Sequence, residues 1–190
     1  MIFKLFNLKK GFTLLEMLIV IAIIGALIPL SITGYNNGLI NSRNTRRKAD
    51  LRLIEKSLAL YYADNNGIYP ETIGNQWWGT CVGHGEFSVE GANGYIPNLA
   101  PRYLQKLPRD PRENINTNNG TGGNDLGGCS ANNPSDYACY AYWSNGVDFK
   151  VVADCTPEGS NVDQDSFADP ARNGRWAIYS SGARAEAIPL

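Results

Sequence analysis

Residues 10–18 read Lys10-Gly11-Phe12-Thr13-Leu14-Leu15-Glu16-Met17-Leu18, and the apolar run they open continues from Phe12 to Ile32 as FTLLEMLIVIAIIGALIPLSI. From Phe12 to Ser42 the only charged side chain is Glu16. Coiled as a helix, residues 12–32 would be about 30 Å long, the thickness of a bilayer's hydrocarbon core. Nothing comparable recurs after Arg43. The chain therefore reads as a single membrane-spanning helix followed by one polar C-terminal domain.

Composition agrees with that division. Across 190 residues, 17 Lys plus Arg stand against 18 Asp plus Glu, a formal charge of −1, which excludes the strongly basic footprint of a nucleic-acid binder. A mean hydropathy of −0.27 excludes a polytopic membrane protein. The 20 Gly and 10 Pro point to a loop-rich body rather than a helical bundle.

The basic start (Lys4, Lys9, Lys10) before an apolar stretch is also the pattern of a removable secretory signal. Three features argue for retention: the run is longer than a signal core, no A-x-A-like site follows it, and Glu16 stands inside it. A carboxylate near the middle of a membrane helix costs roughly 2.5–3.5 kcal/mol on insertion scales. It therefore asks for a partner, or for a place at the membrane surface where it stays wet.

The combination of a basic leader, Gly11, Phe12-Thr13-Leu14, an acid four residues after Phe12 and an aliphatic helix resembles the N-terminus of type IV prepilins and type II secretion pseudopilins. The resemblance implies cleavage after Gly11 by a membrane-embedded prepilin peptidase and N-methylation of Phe12 by the same enzyme. Loss of residues 1–11 would remove three Lys and leave 14 basic against 18 acidic side chains, a formal −4. Glu16 lies one helical turn from the new amine at Phe12, so the two charges can offset each other within a subunit or between neighbours. The expectation is that Glu16 pairs with the Phe12 amine of an adjacent subunit during assembly.

Charge alone does not orient the span. Lys4, Lys9 and Lys10 precede it, but Arg43, Arg46, Arg47, Lys48 and Arg52 follow it. By resemblance the leader is cytoplasmic and the C-terminal domain lies outside the cytoplasmic (inner) membrane, later in a periplasmic or cell-surface filament. The basic cluster then pairs with acids of neighbouring subunits or, more plainly, forms a solvated helix face.

Past the span the helix continues. Leu51, Ile54, Leu58 and Tyr61 recur at spacings of three and four, with Leu53 and Leu60 widening the stripe, so one face packs on a globular head. Asp64-Asn65-Asn66-Gly67 ends the helix and Pro70 prevents resumption. Pro29 is expected to kink or melt a turn within the span, helped by Gly34 and Asn36-Asn37-Gly38. Family members often carry a Pro here, a few residues later. The organisation expected is a leader over 1–11, a transmembrane and assembly helix over 12–34, an amphipathic helix over 35–65 and a head over 66–190.

Tyr137 to Ser144 and Val147 to Ala153 are rich in aromatic and β-branched residues, and Asn145-Gly146 between them signals a two-residue hairpin turn. Arg175 to Ser180 supplies a third strand, with Trp176 and Ile178 alternating against Ala177 and Tyr179. The fold class expected is α+β, a long N-terminal helix on a small antiparallel sheet, pilin-like. Asn66-Gly67-Ile68-Tyr69-Pro70 and Leu104-Gln105-Lys106-Leu107-Pro108-Arg109-Asp110-Pro111 resemble the helix exit and the L-P-x-D-P turn of pseudopilins related to the major subunit. Each is also an ordinary turn, with Asp as its cap.

All four Cys (Cys81, Cys129, Cys139, Cys155) follow the span, as disulfides in an external head would. Four Cys allow three pairings. With a two-residue turn at Asn145-Gly146, Cys139 faces Val152 and Cys155 falls on the other sheet face. That favours Cys129 with Cys139 and Cys81 with Cys155.

Catalysis has little support. His84 is the sole imidazole and reads as a surface-loop residue; Gly120 to Gly128 lacks the Gly-Lys-Ser/Thr ending of a phosphate cradle; Trp77-Trp78 reads as a packed aromatic pair. No cofactor is expected. Major pseudopilins hold calcium in a C-terminal loop, and Asp163, Asp165 and Asp169 are weak candidates for it. Their spacing does not reproduce the family's loop, so solvated loop acids are the plainer reading. The functional expectation is a structural subunit of a pilus or secretion pseudopilus, not an enzyme. Its expected partners are its own copies or other pilins, the prepilin peptidase, and a membrane platform protein with its assembly ATPase. The rival reading is a single-pass anchored binding module for glycan or DNA.

Overall fold

A computed structural model of the chain describes residues 11–80, 84–113, 138–154, 157–158, 164–172 and 174–185; within these, the side chains of residues 28–33 and 75 are outside the description. Compact units are Met1–Leu39 and Ile40–Leu190.

The first unit is helical from Leu14, where helix α1 (Leu14–Asp64) begins. Pro29 and Asn36-Asn37-Gly38 do not interrupt it, contrary to the expected melted turn. Proline removes one backbone donor, and the turns on either side propagate the helix past that single loss. Among the described residues, no helix is long and apolar enough to cross a membrane. The side chains of residues 28–33, which the expected span includes, fall outside that description.

In the second unit, the remainder of α1 lies against a four-stranded antiparallel sheet, the α+β arrangement expected. Strands β1 (Trp78–Gly79), β2 (Cys139–Ser144), β3 (Phe149–Asp154) and β4 (Trp176–Tyr179) are hydrogen-bonded in that order. Alternation along the strands builds two apolar layers. Tyr140, Tyr142, Val151, Ala153, Trp176 and Ile178 share one core with Leu51, Ile54 and Leu58 of α1. Ala141, Val152 and Ala177 form the other, with Trp77 and Tyr179 against it. Burying each of the three α1 side chains contributes about 1.5–3 kcal/mol. Tyr61 is half-buried, as the stripe predicts, but Leu53 and Leu60 are exposed and do not belong to the packed face.

The helix stops where its sequence says it should. The Gly67 N–H donates to the Tyr62 carbonyl at 2.9 Å, and both Asn66 and Gly67 have positive φ. The β2–β3 connection, by contrast, is not a two-residue turn. Ser144 pairs with Phe149 and Cys139 with Asp154, so residues 145–148 form a four-residue loop that holds the exposed Val147 outside β3. Asn145 Oδ1 accepts the N–H groups of Val147 and Asp148, at 3.0 and 2.8 Å, which favours the longer loop over the tight turn.

Strand β1 has no counterpart among the expected strands. Gly79 permits its close neighbours: its N–H donates to the His84 carbonyl at 2.7 Å, and a Cβ there would lie 2.8 Å from His84 Cβ and 3.0 Å from the Tyr140 carbonyl. Cys139 is disulfide-bonded. The other three cysteines, Cys81, Cys129 and Cys155, lie outside the described residues, as do Lys4, Lys9, Lys10, Asp163 and residues 120–128.

Candidate functional site

The N-terminal segment is built from its first turn. The Thr13 backbone N–H and hydroxyl each donate to Glu16 Oε2 at 2.8 Å, and the Glu16 N–H donates to Thr13 Oγ1 at 3.2 Å. This reciprocal capping box satisfies orphan donors of the first turn and places a carboxylate at the positive end of the helix dipole. Thr13-Leu14-Leu15-Glu16 carries its S/T-x-x-E signature, a signal readable in the sequence beside the resemblance. Gly11 and Phe12 precede α1 and are exposed.

Beyond the cap, apolar side chains point in every direction. Phe12, Leu14, Leu15, Ile21, Ile24 and Leu27 are all more than half exposed, and Leu18 and Ile23 join them. A helix that is apolar all round belongs in an apolar surrounding, whether lipid or other helices.

A second concentration of charge begins at Arg43. Arg47 is fully buried; its Nε lies 2.7 Å from Asp110 Oδ2, its Nη2 3.0 Å from Asp110 Oδ1 and its Nη1 2.9 Å from Glu158 Oε1. Arg43 also pairs with Glu158 through two nitrogens, and Arg112 Nη1 reaches Glu158 Oε2 at 3.2 Å. Burial pushes the Glu158 carboxyl up, but hydrogen bonds from Arg43 and Arg47 outweigh it and hold the group below its ordinary value. Lys48 pairs with Asp165 and lies 4.7 Å from the Trp176 ring centroid.

Three members of the basic cluster, Arg43, Arg47 and Lys48, are turned onto the chain's own carboxylates, whereas Arg46 and Arg52 remain exposed on the helix as a solvated face would have them. Arg47 falls in phase with Leu51, Ile54 and Leu58, a sign that it faces the core, but no local signal identifies partners so far away in the chain. Asp110 also caps the L-P-x-D-P turn as expected, accepting the Arg112 N–H at 2.8 Å.

The calcium candidates are placed differently from expectation. Asp165 faces Lys48, and Asp169 faces Lys150, whose Nζ lies 2.7 Å from Oδ1. Among the described residues no group of three or more His, Cys, Asp or Glu converges as a metal site. His84 is not a bare surface residue either. Its side chain is largely buried, with Nε2 3.2 Å from Asp154 Oδ2. Trp78 stacks on Phe87 with centroids 4.2 Å apart, and Trp77 lies 6.5 Å from Trp143, so both indoles pack.

Residues 6–28 match the family described as the prokaryotic N-terminal methylation motif. The chain is 32% identical over 103 residues to the type II secretion system core protein G of Pectobacterium carotovorum subsp. carotovorum, a match covering 54% of this chain and 62% of that protein. It is 32% identical over 108 residues to the protein of the same name from Escherichia coli (strain K12), covering 54% of this chain and 66% of that protein. The chain therefore spans a little under two thirds of the length of these relatives. No solved structure matches at the same stringency. With the methylation motif seated on the capped start of α1 and the core-protein likeness alongside the α+β head, the chain is similar to type IV pilins and pseudopilins.

Proposed function

We propose that the protein is a structural subunit of a type II secretion pseudopilus or type IV pilus. In this reading it is cleaved after Gly11, methylated at Phe12, and assembled with its own copies or related pilins through the N-terminal half of α1. Residues 12–34 hold the precursor in the inner membrane with the head outside. A platform protein and ATPase extract it into a filament. Its work is assembly, not catalysis. The observation that carries the reading is the methylation motif over residues 6–28, which leads directly into a helix with apolar side chains exposed on every side.

Glu16 has the chemistry the assembly step needs. Its two intrachain hydrogen bonds both go to Oε2, and among the described residues Oε1 accepts none. One carboxylate oxygen is then left for the Phe12 amine of a neighbour, and in an apolar filament core that pair forms only when the subunits are in register.

The test is the N-terminal mass of the protein recovered from membranes and from sheared surface or periplasmic filaments. A methylated Phe12 start in both fractions is expected. A product beginning at Met1, or one absent from filaments in cells that build them, defeats the reading.

A further inference from the structure

Every described acid in the C-terminal stretch from residue 157 to 172 is met by a base from elsewhere in the chain: Glu158 by Arg43, Arg47 and Arg112, Asp165 by Lys48, and Asp169 by Lys150. Lys150 is the most telling, because its side chain is fully buried on β3. Its ammonium donates to Asp169 Oδ1 at 2.7 Å and to the Arg184 carbonyl at 3.4 Å, and lies 5.6 Å from the Tyr179 ring centroid.

Asp169 is itself fixed by the loop. Its Oδ1 accepts the Ala171 N–H at 2.9 Å, its N–H donates to the Arg175 carbonyl at 2.8 Å, and its carbonyl accepts the Arg172 N–H at 3.3 Å. A buried positive charge ringed by a carboxylate and a carbonyl resembles the surroundings of a hard metal ion, but here the charge is covalently part of the sheet.

Calcium, which the family resemblance implies for this loop, does not fit these residues. It takes about six to eight oxygen ligands. The two described candidate carboxylates face separate lysine amines, and a divalent ion at Asp169 would have to displace the buried Lys150 ammonium or endure its repulsion.

We propose that Lys150 from the sheet and Lys48 from α1 act as built-in cations that hold residues 164–172 in place, so that the head folds without a bound divalent metal. The placement of that segment is then a property of the sequence and does not vary with the calcium level.

The experiment is thermal unfolding of the full chain in detergent, followed by tryptophan fluorescence, in excess calcium chloride and in excess EGTA. The wild-type midpoint is expected to agree within about 1 °C between the two conditions, well inside the several degrees that losing a bound ligand would cause. Lys150→Met strands a buried carboxylate and should lower the midpoint by roughly 6 °C or more, equally in calcium and in EGTA. Should that variant fail to fold, Lys48→Met serves in its place, since its pair is partly exposed; a smaller drop, again equal in both conditions, is expected. A wild-type midpoint that falls by several degrees in EGTA overturns the proposal. So does a Lys150→Met protein that melts like the wild type, or one whose loss is restored by calcium.

Discussion

Arg47 and Asp110, 63 residues apart in sequence, meet in a two-point ion pair with no exposed side-chain surface on either partner. The guanidinium fork also reaches Glu158, so one helix residue ties together the L-P-x-D-P turn and the C-terminal stretch. A lysine could supply the charge at this position but not the planar fork.

Arg47→Met should therefore destabilise the head by about 3–5 kcal/mol, because two carboxylates lose a buried partner. Arg47→Lys should lie between the variant and the wild type. Urea unfolding of the purified chain reads both, and a Met variant within experimental error of wild type would show that the pair adds nothing net.

Acid should loosen the same cluster. Burial alone raises the Glu158 and Asp165 carboxyls, but hydrogen bonds from Arg43 and Arg47 to the first, and from Lys48 to the second, leave both below their ordinary values. A carboxyl depressed in the folded state binds protons first when unfolded, so its contribution is present above about pH 4.3 for Glu and is lost as pH falls through the depressed folded value. Asp50 works in the opposite direction, since burial raises it. Glu158→Gln should lower stability at neutral pH and flatten the acid limb of a stability-versus-pH curve. An acid limb unchanged in that variant would place the sensitivity elsewhere.

The two sides of α1 separate cleanly in their expected cost. Ile54 is fully buried, and Ile54→Ala should cost about 2–5 kcal/mol. Leu60 is 59% exposed, and Leu60→Ala should change head stability by no more than about 0.5 kcal/mol. Denaturant midpoints for the two variants, compared in one buffer, check the assignment of faces.

At the N-terminus, Thr13→Val removes the hydroxyl that both donates to and accepts from Glu16, at a cost of about 1 kcal/mol to the first turn. Glu16→Ala, under the proposed assembly reading, should leave cleavage after Gly11 intact while the variant falls out of sheared filaments. Immunoblots of membrane and sheared fractions separate those steps, and normal incorporation of the Ala variant would remove the proposed pairing with Phe12.

What could be read from residue order alone was local. The stripe at Leu51, Ile54 and Leu58 and the alternation of Trp176 and Ile178 against Ala177 and Tyr179 rest on spacings of 3.6 and 2 residues, the charge-poor run from Phe12 on composition, and the stop at Asn66-Gly67 on the left-handed backbone that Asn and Gly tolerate. Those local features determined the α+β class, and the N-terminal motif carried the resemblance to type IV pilins and pseudopilins. They did not determine register or partners. A four-residue loop replaced the two-residue turn because Asn145 caps Val147 and Asp148; Leu53 and Leu60 stayed outside because at about 100° per residue they project from the side of α1 opposite Leu51 and Leu58; and Arg47, Lys48 and Lys150 found acids that lie 19 to 117 residues away. Only tertiary structure settles such matters, because the energy of a buried charge depends on which opposite charge the completed fold brings beside it.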